Sequence, residues 1–367
     1  MRGGTEKPEA PAIPPPRANP DLVGHEAAEC GLRRLFDLDR LPHAILLHGP
    51  RGVGKATLAF RFARFVLAGA AERLEAGPST GSGGLAIDPK SGVFRRVAAG
   101  GHADLLTVER AWDPQRRRLR GEILVEDVRE IAAFLRLTPA EEGWRIVVVD
   151  GAEEMNASAA NALLKILEEP PQRALLLLVS HNPGRLLPTI RSRCRRLPLP
   201  ALSPALVRQL IAQHRPGLAA DEADAVAALA QGSIGRALEL ADAGGLGLYR
   251  ALLAILSPLP AIDVPGLHAF ADRLARPEAE DGYRTATELL TQFLARLAAA
   301  MARRLPAPEI AAGEGEVMRR LMGGADPARW AHLVDELGRR FARTDGLNLD
   351  KKQALLGAVF AIARLAR

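Results

Sequence analysis

The sequence predicts an α/β layered domain followed by an all-helical C-terminal region. Between about Asp21 and Pro200, short apolar runs alternate with amphipathic helical patterns, which is typical of α/β domains. Two of these runs, Ile146–Asp150 and Leu175–Ser180, are almost continuously apolar, as expected of strands buried on both faces of a parallel sheet. After Pro200 no strand pattern is evident, and abundant Ala and Leu favour helices.

Four strands and three helices are predicted within the α/β region. The strands are Ala44–His48, Asp104–Glu109, Ile146–Asp150 and Leu175–Ser180. Each helix repeats apolar residues on one face: Ala59, Phe62, Ala63 and Val66 in the first, Val128, Ile131, Ala132 and Leu135 in the second, and Ala160, Leu163, Leu164 and Leu167 in the third. Asn156 is the expected N-cap of the third helix, and Pro170 ends it.

The chain is expected to contain four segments. Residues 1–20 hold six prolines and are predicted to be a disordered tail. The α/β domain spans residues 21–200, a small helical unit spans 201–245, and a larger helical bundle spans 246–367. Within the α/β domain, Ala71–Gly84 ends in a Gly/Ser stretch and is predicted to be a surface insertion.

The amino-acid composition limits which partners, metal sites and cell compartment are expected. The net charge of +6 permits contact with nucleic acid without requiring it. The two cysteines, Cys30 and Cys194, cannot form a four-thiolate zinc site. The N-terminus lacks the apolar core of a secretory signal, and no apolar run reaches the length of a membrane helix. A cytoplasmic protein with no membrane partner is therefore expected.

A Gly-rich loop follows the first strand and precedes a helix, as in phosphate-binding loops. There, backbone N–H groups and a lysine hold the phosphates. The final position of the pattern is Ala56 instead of the Ser or Thr that ligates Mg²⁺, and Thr57 points about 100° away along the helix. The candidate nucleotide-binding residues are Gly49, Pro50, Arg51, Gly52, Val53, Gly54, Lys55, Ala56 and Thr57. A glycine-rich turn with an incidental lysine is the alternative.

A second departure lies at the third strand. Asp150 ends this strand and is a candidate ligand for Mg²⁺ through water, with a plain strand end as the alternative. Gly151 stands where a hydrolysing ATPase of this type has a glutamate that activates water. The two departures agree with each other and predict a site that binds ATP without hydrolysing it.

Several strings resemble the clamp-loader AAA+ subunits of bacterial DNA polymerase III. Thr189–Cys194 contains their Ser-Arg-Cys triplet, and Asn161–Pro171 resembles their helix after the acidic strand. Leu41–Pro50 and Asp21–His25 match their N-terminal boxes, while Asn348–Gln353 is a weaker echo. Together the first four strings cover most of residues 20–200.

The resemblance implies a fold and a role. The fold would be an AAA+ domain, a parallel five-stranded sheet with flanking helices, followed by a helical lid and a helical collar. The departures at Ala56 and Gly151 indicate the member that lacks a working ATPase site. Its implied partners are gamma/tau ATPase subunits and a delta subunit in a hetero-pentamer, and through the assembly a sliding clamp and primed DNA.

The resemblance also assigns residues. Arg193, with Ser192 beside it, would reach the ATP of a neighbouring subunit; a solvated basic cluster or a DNA contact is the alternative. Ser180, His181 or Asn182 would be a phosphate sensor after the fourth strand, and Arg236 a second one, although Arg236 lies one place later than in the hydrolysing subunits. Zinc is not expected, because residues 71–101 contain no cysteine where many relatives have four.

Other functions stay open at this stage. The first is an active gamma/tau-type ATPase, which would have to work despite Ala56 and Gly151. The second is a basic nucleic-acid-binding protein, which leaves the Ser192–Cys194 triplet unexplained. The basic run Arg116–Arg120 is predicted to be a solvated loop, with DNA contact as its alternative.

Overall fold

The computed structural model describes residues 13–69, 72–73, 84–114, 118–141, 143–323 and 326–367. Its strands are β1 Ala44–His48, β2 Leu105–Val108, β3 Trp112–Asp113, β4 Arg118–Leu119, β5 Arg145–Asp150, β6 Ala174–Ser180 and β7 Arg195–Pro198. Its helices are α1 Glu26–Asp37, α2 Lys55–Leu67, α3 Gly92–Ala98, α4 Val125–Arg136, α5 Ala157–Glu168, α6 Pro188–Arg193, α7 Pro204–His214, α8 Ala220–Leu229, α9 Ile234–Asp242, α10 Gly245–Leu256, α11 Val264–Leu274, α12 Glu280–Arg303, α13 Glu314–Met322, α14 Pro327–Leu347 and α15 Lys351–Leu365.

Five strands form one parallel sheet in the order β2-β5-β6-β1-β7. This confirms the predicted five-stranded parallel sheet with flanking helices. Every residue of β6 is buried, so the central strand is apolar along both faces. The four strands predicted from the sequence end within one residue of their observed bounds.

The sheet separates two apolar cores. Alternate strand residues such as Ile45 and Val148 pack with α2 and α3 on one face. Their neighbours Leu46 and Val147 pack with α4 and α5 on the other face. The predicted cap of α5 is confirmed, since the Asn156 side chain accepts the N–H of Ala159 at 2.9 Å. Both faces of the sheet are covered, which explains why its strands read as continuous apolar runs.

Two strand segments depart from the sequence prediction. Strand β7 was not among the predicted strands, because it is a largely exposed edge strand with two arginines and a proline. The run Arg116–Arg120, predicted as a loop, contributes β4, which pairs antiparallel with β3. Residues 115–117 of this run lie outside the described residues, as does most of the predicted insertion Ala71–Gly84.

The segment before α1 differs from the predicted disordered tail where it is described. Pro16–Ala18 forms a 3-10 turn, and two buried arginines of α2 hold the segment. Arg64 donates to the carbonyl oxygens of Arg17 at 2.7 Å and Asn19 at 2.6 Å. Burial lowers the pKa of Arg64 to about 9. Residues 1–12 of the predicted tail lie outside the described residues.

The chain divides into two compact units. The first ends at Leu206 and includes Gly232–Gly235, and the second comprises Val207–Gln231 and Arg236–Arg367. The described part of the second unit contains helices and no strand, as predicted. The finer division into residues 201–245 and 246–367 stays a prediction.

A buried polar network connects three helices of the second unit. Glu314, which is fully buried, pairs with Arg296 and accepts hydrogen bonds from the Tyr249 hydroxyl and the Ile310 N–H, each at 2.6 Å. Burial and this carboxylate raise the pKa of Tyr249 far above its usual range. The network joins α10, α12 and α13, so these helices share one satisfied buried charge pair.

Membrane insertion receives no support from the helices. Over the described residues, none combines the length and the apolar character that crossing a bilayer requires.

Removing one partner of a buried ion pair gives the first prediction. Glu29 and Arg61 are both buried, with 2.5 Å between Oε1 and Nε. We expect Glu29→Ala to cost about 3–5 kcal/mol, because it leaves the Arg61 charge buried and unpaired. The midpoint of thermal unfolding should fall by about 6 °C or more.

Asp37→Ala is the matched control. Asp37 pairs with Arg33 at 2.8 Å across the surface, where such pairs contribute at most about 1 kcal/mol. Equal shifts of the unfolding midpoint in the two variants would contradict the prediction that the buried Glu29–Arg61 pair matters more for stability than a surface pair.

Candidate functional site

The Gly-rich loop joins the carboxyl end of β1 to the first turn of α2. Gly49 opens the loop with a φ of 152°, and a Cβ there would lie 2.0 Å from the carbonyl oxygen of Leu199. A side chain at position 49 would therefore collide with the backbone that follows β7. The loop thus lies against the sheet edge with the N-terminus of α2 beside it.

Lys55 folds back over the loop. Its Nζ donates to the carbonyl oxygens of Gly49 at 2.8 Å and Pro50 at 2.5 Å, and the residue is only 3% exposed. Burial lowers the pKa of Lys55 to about 8, although the carboxylates of Glu153 and Asp150 act in the opposite direction. The Lys55 charge therefore lies near two carboxylates, that of Asp150 at the end of β5 and that of Glu153 just after it.

Two further carbonyl groups of the loop have partners in the chain. The N–H of Gly235 donates to the Gly52 oxygen at 3.0 Å, and His25 Nε2 lies 2.7 Å from the Val53 oxygen. Within the described residues, the N–H groups of 52–55 donate no hydrogen bond to another part of the chain. Unbonded N–H groups before a helix N-terminus are the donor set of an anion site.

The hydroxyl missing at position 56 is not replaced by its neighbour. Ala56 is half-buried in the first turn of α2, whereas Thr57 is 9% exposed and lies on the buried side of the helix. Without a hydroxyl at position 56, the loop lacks the side-chain ligand that Mg²⁺ normally has there.

Asp150 supplies the expected carboxylate at the end of β5. The next residue is a glycine, where the sequence pattern of a hydrolysing ATPase has a glutamate. Burial, with Glu109 nearby, raises the pKa of Asp150 to about 6. Gly151 has a φ of 78°, and a Cβ there would lie 2.6 Å from Glu154 Oε2. Glu154 in turn pairs with Arg110 at 2.8 Å. The chain therefore turns at position 151 in a conformation that favours glycine.

Glu153 has a role that the sequence did not reveal. Its Oε1 accepts the backbone N–H groups of His181 at 2.7 Å and Asn182 at 3.1 Å, just beyond β6. Burial raises the pKa of Glu153, but hydrogen bonds from its own N–H and that of His181 outweigh this and lower it overall. The carboxylate thus holds the backbone at His181 and Asn182, directly after Ser180, where the sensors are predicted.

Arg236, the other predicted sensor, belongs to the second compact unit. Its guanidinium lies 2.5 Å from Glu288 and 3.6 Å from Glu239. Its predicted contact with phosphate stays a prediction.

Arg193 ends α6 on the surface of the first unit. Its Nη2 lies 2.8 Å from Glu168 Oε1, and its Nη1 donates to the Thr189 oxygen at 3.2 Å. Ser192 donates its hydroxyl to the same oxygen at 3.0 Å. Burial raises the pKa of Cys194 to about 11, so its thiol is neutral and packs as an apolar group. The triplet therefore presents one exposed cation on a tightly bonded turn.

Comparison with known proteins shows a family that part of this chain resembles. The model of the family described as "DNA polymerase III, delta subunit" matches residues 24–203. Residues 24–203 are therefore similar to this DNA polymerase III family.

Three clamp-loader relatives illustrate the match. A DNA polymerase III subunit delta' from Pseudomonas aeruginosa is 38% identical over 193 residues, which are 52% of this chain and 53% of the relative. One from Bacillus subtilis is 31% identical over 52% of this chain and 54% of the relative. A gamma/tau subunit from Mycobacterium tuberculosis is 30% identical over 57% and 33%. The chain spans about half the length of the delta' relatives and a third of the gamma/tau relative.

The backbone conformation of Gly151 leads to a prediction about a variant with glutamate at this position. We expect Gly151→Glu to gain no ATP turnover, even combined with Ala56→Ser. The left-handed φ costs a residue with a Cβ about 1–2 kcal/mol, and the contact with Glu154 adds to this. Thermal unfolding and steady-state phosphate release measure the two effects.

Ala56→Ser alone is the control, since a serine fits this half-buried position and should change stability by less than about 0.5 kcal/mol. A Gly151→Glu variant with unchanged stability and measurable turnover would contradict the role given to the backbone.

Proposed function

We propose that this chain is the non-hydrolysing, stator-like delta-prime subunit of a DNA polymerase III clamp loader. In this role it helps to place the sliding clamp on primed DNA during replication, while gamma/tau subunits hydrolyse ATP. The observation that carries the proposal is a Gly-rich loop whose N–H groups 52–55 donate no hydrogen bond within the described chain, together with two missing hydrolytic groups. Ala56 stands in place of the hydroxyl in the first turn of α2, and Gly151 stands in place of the glutamate after β5.

The loop supports binding of ATP without turnover. Lys55 and the N–H groups of 52–55, which donate no hydrogen bond within the described chain, supply the cationic donors proposed to hold phosphates. Asp150 is the remaining ligand that could reach Mg²⁺, through water, so binding of this ion is expected to be weak. No zinc is assigned to the chain, because Cys30 and Cys194 are too few for a structural site.

Arg193 is the residue assigned to act on a neighbour. Guanidinium groups stay charged and can bind two phosphate oxygens at once. The Arg193 side chain is 37% exposed, and one ion pair and one hydrogen bond leave other N–H donors of the five available. In this proposal the arginine reaches the ATP of an adjacent gamma/tau subunit, and another face of the chain binds a delta subunit of the pentamer.

The retained Lys55 and Asp150 favour a second candidate function. The lysine of the Gly-rich loop and the aspartate that ends β5 are both present, and their charges attract each other. On that basis the chain would be an active gamma/tau-type motor. The two candidates both place the protein in the cytoplasm with the replication machinery, and they differ in ATP turnover.

Turnover by the purified chain alone separates these functions. With Mg²⁺ and primed DNA present, we expect ATP to bind and no phosphate release above background, because the water-activating glutamate and the Mg²⁺-binding hydroxyl are both missing. Equilibrium binding of a labelled ATP and steady-state phosphate release provide the two readouts. Turnover that disappears in Lys55→Ala would instead identify a motor.

The lysine predicts a pH dependence of nucleotide binding. Because the pKa of Lys55 is lowered to about 8, its charge is present at pH 7 and largely lost at pH 9. If only the charged form binds phosphate, affinity should fall about tenfold over this interval. Burial lowers the pKa values of His48 and His181, so these rings stay neutral throughout.

Lys55→Met is the control for this titration. Its weaker binding should not change between pH 7 and pH 9, because the titrating group is gone. An equal fall in affinity in the variant would assign the effect to another group.

A further inference from the structure

The contact between Arg193 and Glu168 joins the ends of two helices. Glu168 is the last residue of α5, and Arg193 is the last residue of α6. The Nη2–Oε1 distance is 2.8 Å, and the two side chains are 37% and 50% exposed. The arginine proposed to act on a neighbour is thus already engaged by a carboxylate of its own chain.

The guanidinium of Arg193 keeps donors that are available to another group. Nη2 forms an ion pair with Glu168, and Nη1 donates a hydrogen bond to the Thr189 oxygen, so two of the three guanidinium nitrogens are engaged. The two partners lie on different helices, α5 and α6, so the group is held from two sides. The donors that remain can still bind the oxygens of an approaching phosphate.

The position of Glu168 is not explained by helix stability. A carboxylate in the last turn of a helix faces the negative end of the helix dipole, which is unfavourable. An exposed ion pair returns at most about 1 kcal/mol. Glu169, the next residue, is also exposed and makes no ion pair among the described residues. Among the described residues, Glu168 and not Glu169 therefore pairs with Arg193.

We propose that Glu168 is a positioning residue for Arg193. It holds the guanidinium in a fixed orientation, so that less rotamer entropy is lost when the arginine meets the phosphates of a neighbouring subunit. This inference rests on the proposed function of Arg193. It adds that the arginine acts as one half of a pair and that the pair is formed before assembly.

The test uses a reconstituted clamp loader in which only the ATP site facing this chain can hydrolyse. The other motor sites carry Lys→Ala substitutions in their own phosphate loops. We expect Glu168→Ala to lower kcat about two- to fivefold with KM for ATP unchanged, the range that an exposed ion pair supplies. Glu168→Gln, which keeps an acceptor oxygen, should recover part of the loss, and Glu169→Ala should match the parent chain.

Arg193→Ala and the double variant complete the cycle. Arg193→Ala should lower kcat by about 10³-fold or more, and adding Glu168→Ala to it should change nothing further, since the glutamate acts through the arginine. No effect of Arg193→Ala would refute the proposed function of Arg193, and the inference with it.

Other outcomes would refute the inference alone. A normal kcat in Glu168→Ala, with a large loss in Arg193→Ala, would make the pair an inert surface contact. A higher kcat would mean that Glu168 masks the arginine. An equal loss in both backgrounds would assign Glu168 to the fold of the chain.

Discussion

The pairing of β1 and β5 with the two edges of β6 is the constraint on which the candidate site depends. His48 lies opposite Ser180, and Asp150 lies opposite Val179. Because the three strands are parallel, their carboxyl ends reach one edge of the sheet together. The Gly-rich loop after β1, Asp150 at the end of β5 and the residues after β6 are therefore neighbours as a result of strand register alone.

The buried part of the fold could be predicted from the sequence, and its exposed edge could not. A strand covered on both faces has to be apolar throughout, so β5 and β6 are visible as apolar runs. Strand β7 pairs on one side with β1 and is largely exposed, which permits its arginines and proline. The same reasoning applies to β4, whose residues lie within a basic run.

The residue types of the site were predictable, but its side-chain contacts were not. Ala56, Asp150 and Gly151 lie at fixed distances from recognisable strands, so their chemistry follows from spacing. The bonds from Glu153 to the loop after β6 join residues 28 positions apart. They depend on the turn at Gly151 and on the register of two strands, which no local pattern encodes. The pairing of α5 and α6 through Glu168 is of the same kind.

The self-contained bonding of the phosphate loop has a mechanical consequence. The oxygens of Gly49 and Pro50 are bound by Lys55, and that of Gly52 is bound by Gly235. A loop anchored in this way keeps its shape without relying on a bound molecule. The contour of the chain around the loop is therefore set by bonds within the protein itself.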